Sequence, residues 1–189
     1  MARIPYVEPE NASPEVREIL ERLPVKLNIF KIMAHAETSF RPLLSLGASL
    51  LGQQKLDARL RELAILRVAR LSNAEYEWAQ HVPIARHTGA SDAEIDALER
   101  GDIEAGCFGE LEQAVLRFTD EVVRDVGVSD ATFAAVSKHL SDQEVVELIL
   151  AVGFYMTMAR LMETTRIDLD PPAGTALLDQ ARQGGSEEA

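Results

Sequence analysis

Apolar residues return every three to four positions through most of this chain, and no stretch alternates apolar with polar residues as a half-buried strand would. The first dozen residues, with Pro5 and Pro9, read as an extended arm. "SPEVREILERL" then opens a helix with Ser13 as its cap and Pro14 in the first turn. "FRPLLSLGASLLG" keeps helical spacing through Leu43, Leu46 and Leu50, and Gly52 suits its end. "LDARLRELAILRVARLS" is apolar on most sides and predicts a largely buried helix, followed after Ser72–Asn73 by another that runs to Gly89. "SDAEIDALERG" carries a capping box, Ser91 with Glu94, and Gly101 closes it. Residues 101–109, "GDIEAGCFG", read as loop. "ELEQAVLRFTDEVVRDVG" and "SDATFAAVSKHL" are two more amphipathic helices, and "SDQEVVELILAVGFYMTMARLM" is the longest apolar stretch and predicts burial. A faint echo links "LDARLRELAIL" to "LSDQEVVELIL", the trace a duplicated helical hairpin would leave.

The fold class that follows is all-α, a compact helical bundle. The predicted organisation is an arm over 1–12, one helical domain over 13–170 and a largely flexible tail over 171–189. That tail starts after Asp170 with Pro171–Pro172 and ends in "GGSEEA", which should be disordered.

With 189 residues the chain can build one domain with a real core. Its 31 acidic and 19 basic side chains leave a formal net charge of -12, which disfavours a nucleic-acid partner and an anionic membrane surface. No run of about 18 apolar residues stands out, so no bilayer span is expected. "MARIPYVEPE" lacks the apolar core of a secretory signal. A lone Cys107 can form neither an internal disulfide nor a CxxC pair, and a cytoplasmic, reducing compartment is the expectation.

Two helices carry candidate chemistry. On the first, Ala58, Glu62, Ile65, Leu66 and Ala69 share a face, so Glu62 is a carboxylate set in an apolar stripe. Desolvation makes such a group a proton carrier, whereas pairing with Arg59 or Arg61 would make it structural. On the second, Ala74, Glu77, Trp78, His81 and Ala85 form a stripe in which Glu77 and His81 can touch. A histidine beside a carboxylate is held in one tautomer and suits acid–base work near neutral pH. If the two helices form a hairpin, Glu62 comes alongside His81 as a carboxylate–imidazole relay. His35, His87 and His139 lie near helix ends and read as capping or surface residues. Neither HxxxH nor HExxH occurs, and GxGxxG, the P-loop and GxSxG are likewise missing, so no metal and no cofactor is expected.

The combination E-L-x-I-L-x-V-A, then Y-E-W-x-x-H, then A-x-x-x-G and E-I-x-A-L over residues 61–98 resembles the core of the carboxymuconolactone decarboxylase superfamily, which includes the alkylhydroperoxidase D (AhpD)-like proteins. The resemblance implies an AhpD-like helical domain that assembles as a homotrimer or homohexamer. It also implies a pocket with Glu62 and His81 as the catalytic pair, lined by Ala74, Tyr76, Glu77 and Trp78. The peroxidase branch uses a glutamate, a CxxC pair and a histidine. Its glutamate falls on Glu62 and its histidine on His81, but its two cysteines fall on Ala74 and Glu77, and a relay histidine of some members falls on Tyr76. A dithiol peroxidase needs one thiolate to attack and a second thiol to resolve the sulfenic acid, and this chain has neither at the site. The decarboxylase branch also lacks the pair, and its reaction needs a proton delivered as carbon dioxide leaves. A negative Glu77 would repel a dicarboxylate there, with Arg67, Arg70 and Arg86 the nearby cations on the two helices.

Three functions follow as expectations. The leading one is a thiol-independent enzyme that uses Glu62 and His81 for proton transfer on a small carboxylated or lactone-type substrate. The second is an alkylhydroperoxidase or peroxiredoxin-type antioxidant activity, in which Cys107 would have to serve. The third is a non-catalytic oligomeric scaffold that keeps the pocket.

Overall fold

Every side chain from Leu60 to Ala69 is buried, so the helix that carries them has to run through the middle of the molecule. The structure, a computed structural model, describes residues 1–184, and among these it contains helices and no strand. In chain order the helices are α1 (Pro14–Arg22), α2 (Asn28–Met33), α3 (Glu37–Gly52), α4 (Ala58–Leu71), α5 (Glu75–His87), α6 (Asp92–Glu99), α7 (Glu110–Asp125), α8 (Asp130–Ser137), α9 (Asp142–Thr165) and α10 (Ala176–Gly184). A short 3-10 turn at Pro9–Asn11 precedes them. The central helix is α4, and α5, α6, α7 and α9 pack around it.

Local chemistry explains where these helices begin and end. Asp57 caps α4 by accepting a hydrogen bond from the Leu60 N–H at 3.0 Å. Beyond its last turn Asn73 takes a left-handed conformation (φ 52°), which an asparagine tolerates, and the chain turns back into α5 to close a helical hairpin. The capping box of α6 forms as its spacing predicts, with Glu94 Oε2 accepting from the Ser91 N–H at 2.8 Å. Ser141 and Glu144 repeat it at the start of α9. At the end of α7, Val126 is left-handed (φ 70°) and 89% exposed, an unfavourable place for a β-branched residue. Val126→Gly is therefore expected to raise stability by about 0.5–1 kcal/mol. The check is the urea midpoint at constant m, and an unmoved or lower midpoint would count against the strain.

Three apolar clusters fill the interior. One joins α4, α7, α8 and α9 through Ile65, Val68, Val115, Phe118 and Leu148. A second joins α1, α2 and α3 to Tyr76, Met158 and Met162. The third packs Leu63, Leu66, Trp78, Leu98 and Leu116 between α4, α5, α6 and α7. Helix α9, with a mean hydropathy of 1.7 in its most apolar window, is long and apolar enough to cross a membrane by length and composition, contrary to the expectation that no such run exists. In this fold it is a core helix packed on α3, α4 and α7, and the stretch reads as apolar because one face is buried and another, Val146, Ile149 and Leu150, is not.

The two ends of the chain meet. Arg3 N–H donates to the Thr165 carbonyl at 2.7 Å, and Tyr6 O–H donates to Asp168 at 3.0 Å, so the arm lies along the segment that follows α9. Within 171–189, read from sequence as a flexible tail, Ala176–Gly184 forms α10 and packs on α3 with Leu178 and Ala181 buried. The expected disorder of "GGSEEA" falls, from residue 185 on, outside the described residues.

Candidate active site

An apolar cavity of about 750 Å³, counted with its open mouth, lies between α2, α3, α5, α9 and α10. Phe30, Leu43, Leu44, Phe154 and Met158 make most of its wall, and Leu177 and Ala181 of α10 complete it. Gly47 lets α3 approach α9 closely, since a Cβ there would stand 3.1 Å from Phe154. Among the described residues, polar groups reach the cavity from two helices: Tyr76, Glu77, Gln80 and His81 from α5, and Tyr155 from α9. Two of these are already engaged. Tyr76 O–H donates to Asp170 at 2.5 Å, and Gln80 binds the 170–173 segment through both ends of its amide, including acceptance from the Ala173 N–H at 2.9 Å. They hold the chain between α9 and α10 against α5 and so position the cavity's far wall.

Behind His81 stands a buried ionic group. His81 Nδ1 lies 2.8 Å from Glu62 Oε2, and Glu62 is fully buried. Arg61 Nε and Nη2 both donate to the other oxygen of Glu62, at 3.3 Å each, and Arg61 is itself only 2% exposed. The carboxylate thus accepts from a guanidinium on one oxygen and from the imidazole on the other. In that arrangement Nδ1 carries the proton, and Nε2 is left without a hydrogen-bond partner among the described residues. The Tyr155 ring meets the imidazole edge-on at 4.7 Å and 85°, which fixes the ring plane. Burial first, then the negative charge of Glu62, push the Tyr155 phenol well above its ordinary pKa, so it stays a hydroxyl.

Glu77 differs from every other acid among the described residues. It is 2% exposed, lines the cavity, and neither of its carboxyl oxygens has a hydrogen-bond partner. Burial first, then the charges of Glu62 and Glu163, push its pKa well above the ordinary carboxylate value. This shifts Glu77 away from the anion expected of it: Arg61 is engaged by Glu62, and burial outweighs its place in the first turn of α5, where a negative charge is favoured. The Glu77–His81 contact that helical spacing allows is not formed either, because His81 turns to Glu62 across the hairpin.

Of the other residues expected in the pocket, Tyr76 lines it, while Ala74 and Trp78 are buried elsewhere. On a helix that turns about 100° per residue, Tyr76, Glu77 and Gln80 point to the cavity and Ala74, Trp78 and Ala85 to α4 and α6, with His81 at the boundary. Trp78 sits in the third cluster with the Arg70 guanidinium 3.7 Å from its ring centre. The three arginines weighed as counter-ions are all committed outward: Arg67 to Asp120 at 2.5 and 2.8 Å, Arg70 to Glu75 and Glu99, and Arg86 to Asp92. Cys107 is exposed on the α6–α7 loop and does not line the cavity. His35 Nε2 sits 2.7 Å from the Pro5 carbonyl, consistent with a structural role. Tyr155 and the walls from α2, α3 and α10 went unseen in the sequence.

A family model described as the carboxymuconolactone decarboxylase family matches residues 38–121, the segment from α3 to α7 that holds Arg61, Glu62, Glu77 and His81. Over that segment the chain is similar to the carboxymuconolactone decarboxylase family, and its fold is that of AhpD-like structures. Solved structures of this fold include an uncharacterised peroxidase-related protein from Ralstonia eutropha JMP134, titled an alkylhydroperoxidase AhpD core. It is 19% identical over 96% of both chains, with a TM-score of 0.76. An Agrobacterium tumefaciens protein of unknown function, described as a candidate antioxidant defence protein AhpD, is 25% identical over 72% of this chain and 95% of its own, with a TM-score of 0.65. The debrominase Bmp8 in complex with 2,3,4-tribromopyrrole is 14% identical over 96% of this chain and all of its own, with a TM-score of 0.73. No curated protein matches the chain in sequence. The matched segment thus carries the ionic group, while the aromatic partner Tyr155 and the α10 wall lie beyond it.

Proposed function

We propose that this protein is a thiol-independent enzyme that moves a proton on a small lactone- or carbonyl-type substrate, with His81 as the acid–base group and Glu62 as its partner. The observation that supports it is the 2.8 Å contact between Glu62 and His81 Nδ1 at the wall of an apolar cavity. In this reading Nε2 takes a proton from the substrate, the imidazolium is stabilised by the carboxylate behind it, and the same proton is returned at another atom. Loss of carbon dioxide would run differently: His81 would have to start as the imidazolium and deliver its Nε2 proton to the carbanion that carbon dioxide leaves behind. A strongly anionic substrate is a poorer fit, because the one arginine at the site is already paired with Glu62.

The dithiol peroxidase reading is opposed by the residues themselves: Ala74 and Glu77 stand where its cysteines would, and Cys107 is outside the cavity. The bromopyrrole complex of Bmp8 concerns that protein, and what it shares with this chain is the fold.

The test is a nitrogen-15 NMR titration of His81 in the wild type and in Glu62→Gln. The expected result is an Nδ1–H tautomer whose ring-nitrogen signals move when Glu62 is neutralised. A histidine indifferent to Glu62 would remove the relay and leave the scaffold reading in front.

Self-association as a trimer or hexamer belongs to the same proposal. Val146, Ile149 and Leu150 are about half exposed on one face of α9, at the spacing of an unpaired helical stripe. Leu150→Glu is expected to lower the mass measured by light scattering, and an unchanged mass would place any interface elsewhere.

A further inference from the structure

The Glu77 carboxyl is the unexplained group of this cavity. A buried acid without a hydrogen bond costs about 1–3 kcal/mol, which most folds avoid by supplying a partner. Here the fold partners Glu62, Tyr76 and Gln80 and leaves the Glu77 carboxyl open. Glu62 has two partners, Tyr76 and Gln80 hold the 170–173 segment, and Glu77 has none.

We infer that Glu77 is the ligand-recognition residue of the site, an un-ionised carboxyl that donates its O–H to the carbonyl oxygen of an uncharged, largely apolar ring ligand. The inference rests on the proton-transfer reading for what happens next, and it names the substrate class that reading leaves open. Three observations carry it. The wall is apolar apart from the α5 and Tyr155 groups, so the body of the ligand must be apolar. The carboxyl is confined among Glu62 and Arg61 on α4, His81 on its own helix, and Tyr155 and Glu163 on α9. The sole cation in that set, Arg61, already donates twice to Glu62, so a ligand anion would meet acids rather than a counter-charge. Finally, Glu77 and His81 are one helical turn apart, with Cβ atoms about 5–6 Å from each other. One small ring therefore spans both, its carbonyl against Glu77 and a neighbouring C–H against His81 Nε2. In that pose the O–H bond draws electron density toward the carbonyl oxygen, and the adjacent C–H is the proton that His81 takes.

The experiment uses the full chain at pH 7 and three probes of similar ring size: coumarin, a neutral lactone; coumarin-3-carboxylate, an anionic analogue with an added carboxylate; and naphthalene, which has no acceptor. Binding is measured by calorimetry or NMR shifts for wild type, Glu77→Gln and Glu77→Leu, with the folded state of each checked by its melting curve. Coumarin is expected to bind wild type at least about tenfold more tightly than its carboxylate. Glu77→Gln, which keeps a donor, should hold coumarin within about threefold, whereas Glu77→Leu should lose about tenfold for coumarin and stay within about threefold for naphthalene. Equal loss or equal retention of coumarin and naphthalene in Glu77→Leu overturns the inference and leaves Glu77 a buried acid hydrated by a trapped water. Tighter binding of the carboxylate, or no coumarin binding to wild type, overturns it as well. The two readings fail separately. An uncoupled His81 with coumarin discrimination intact sinks proton transfer alone, and a coupled His81 without discrimination sinks this assignment alone.

Discussion

Glu77→Gln is expected to make the protein more stable than wild type across neutral pH, with a margin that grows as pH rises. The cause is the buried carboxyl itself. Its folded-state pKa stands well above the ordinary value of 4.5, by burial first and the Glu62 and Glu163 charges second. For an acid displaced upward, the folded state holds a proton that the unfolded chain releases once the pH passes the ordinary value. The stability associated with that proton is complete below pH 4.5 and is lost as pH climbs toward the folded-state pKa. The loss runs at about 1.4 kcal/mol per pH unit, and a glutamine has no proton to lose. Urea unfolding of the two proteins between pH 5 and pH 8 measures the difference directly. Subtracting one from the other also removes the raised groups that Glu77 does not touch, Tyr6 and Tyr76. Parallel stability curves would mean that Glu77 is ionised in the folded protein, and the cavity would then be one for cations.

The parts of this site that were legible in the sequence are those that one helix, or two joined by a short turn, can encode. The 3.6-residue period put Glu62 in an apolar stripe and His81 four residues after Glu77. The break at Ser72–Asn73 made a hairpin that sets Glu62 beside His81, which is what the structure contains. Spacing alone could not choose between Glu62 and Glu77 as the partner of His81, because both lie within reach and only the crossing of α4 and α5 decides. The charge state of Glu77 was misjudged for a related reason. A carboxylate reads as an anion until its surroundings are known, and those surroundings are supplied by α9. Tyr155 lies in an apolar run that gives no sign of which residue faces inward. Helix α2 is only six residues, "NIFKIM", too short for a period to show, and α10 follows a double proline that reads as the start of a tail. All three are brought to α5 by long-range packing.

The second large effect is expected at the ionic group behind His81. Glu62→Ala should cost about 3–5 kcal/mol, because it strands the Arg61 guanidinium in the interior without its partner. For a domain of this length that is a fall in melting temperature on the order of 10 °C. Arg61→Ala should cost a similar amount, since it leaves Glu62 buried with only a neutral imidazole beside it. The double variant Arg61→Ala/Glu62→Ala should be much milder than the sum of the two, as both charges leave together. His81→Ala is expected to be milder than either single variant, because it strands no charge, and it should remove turnover while the fold remains. The four melting curves therefore separate two jobs within one cluster. If Arg61 and Glu62 prove additive, the guanidinium is solvated by a route other than this carboxylate. If His81→Ala is as damaging as Glu62→Ala, the imidazole is part of what holds the hairpin closed. Near-cancellation in the double variant together with a tolerant His81 is the pattern in which Arg61 keeps Glu62 charged, and that charge is what makes His81 a base.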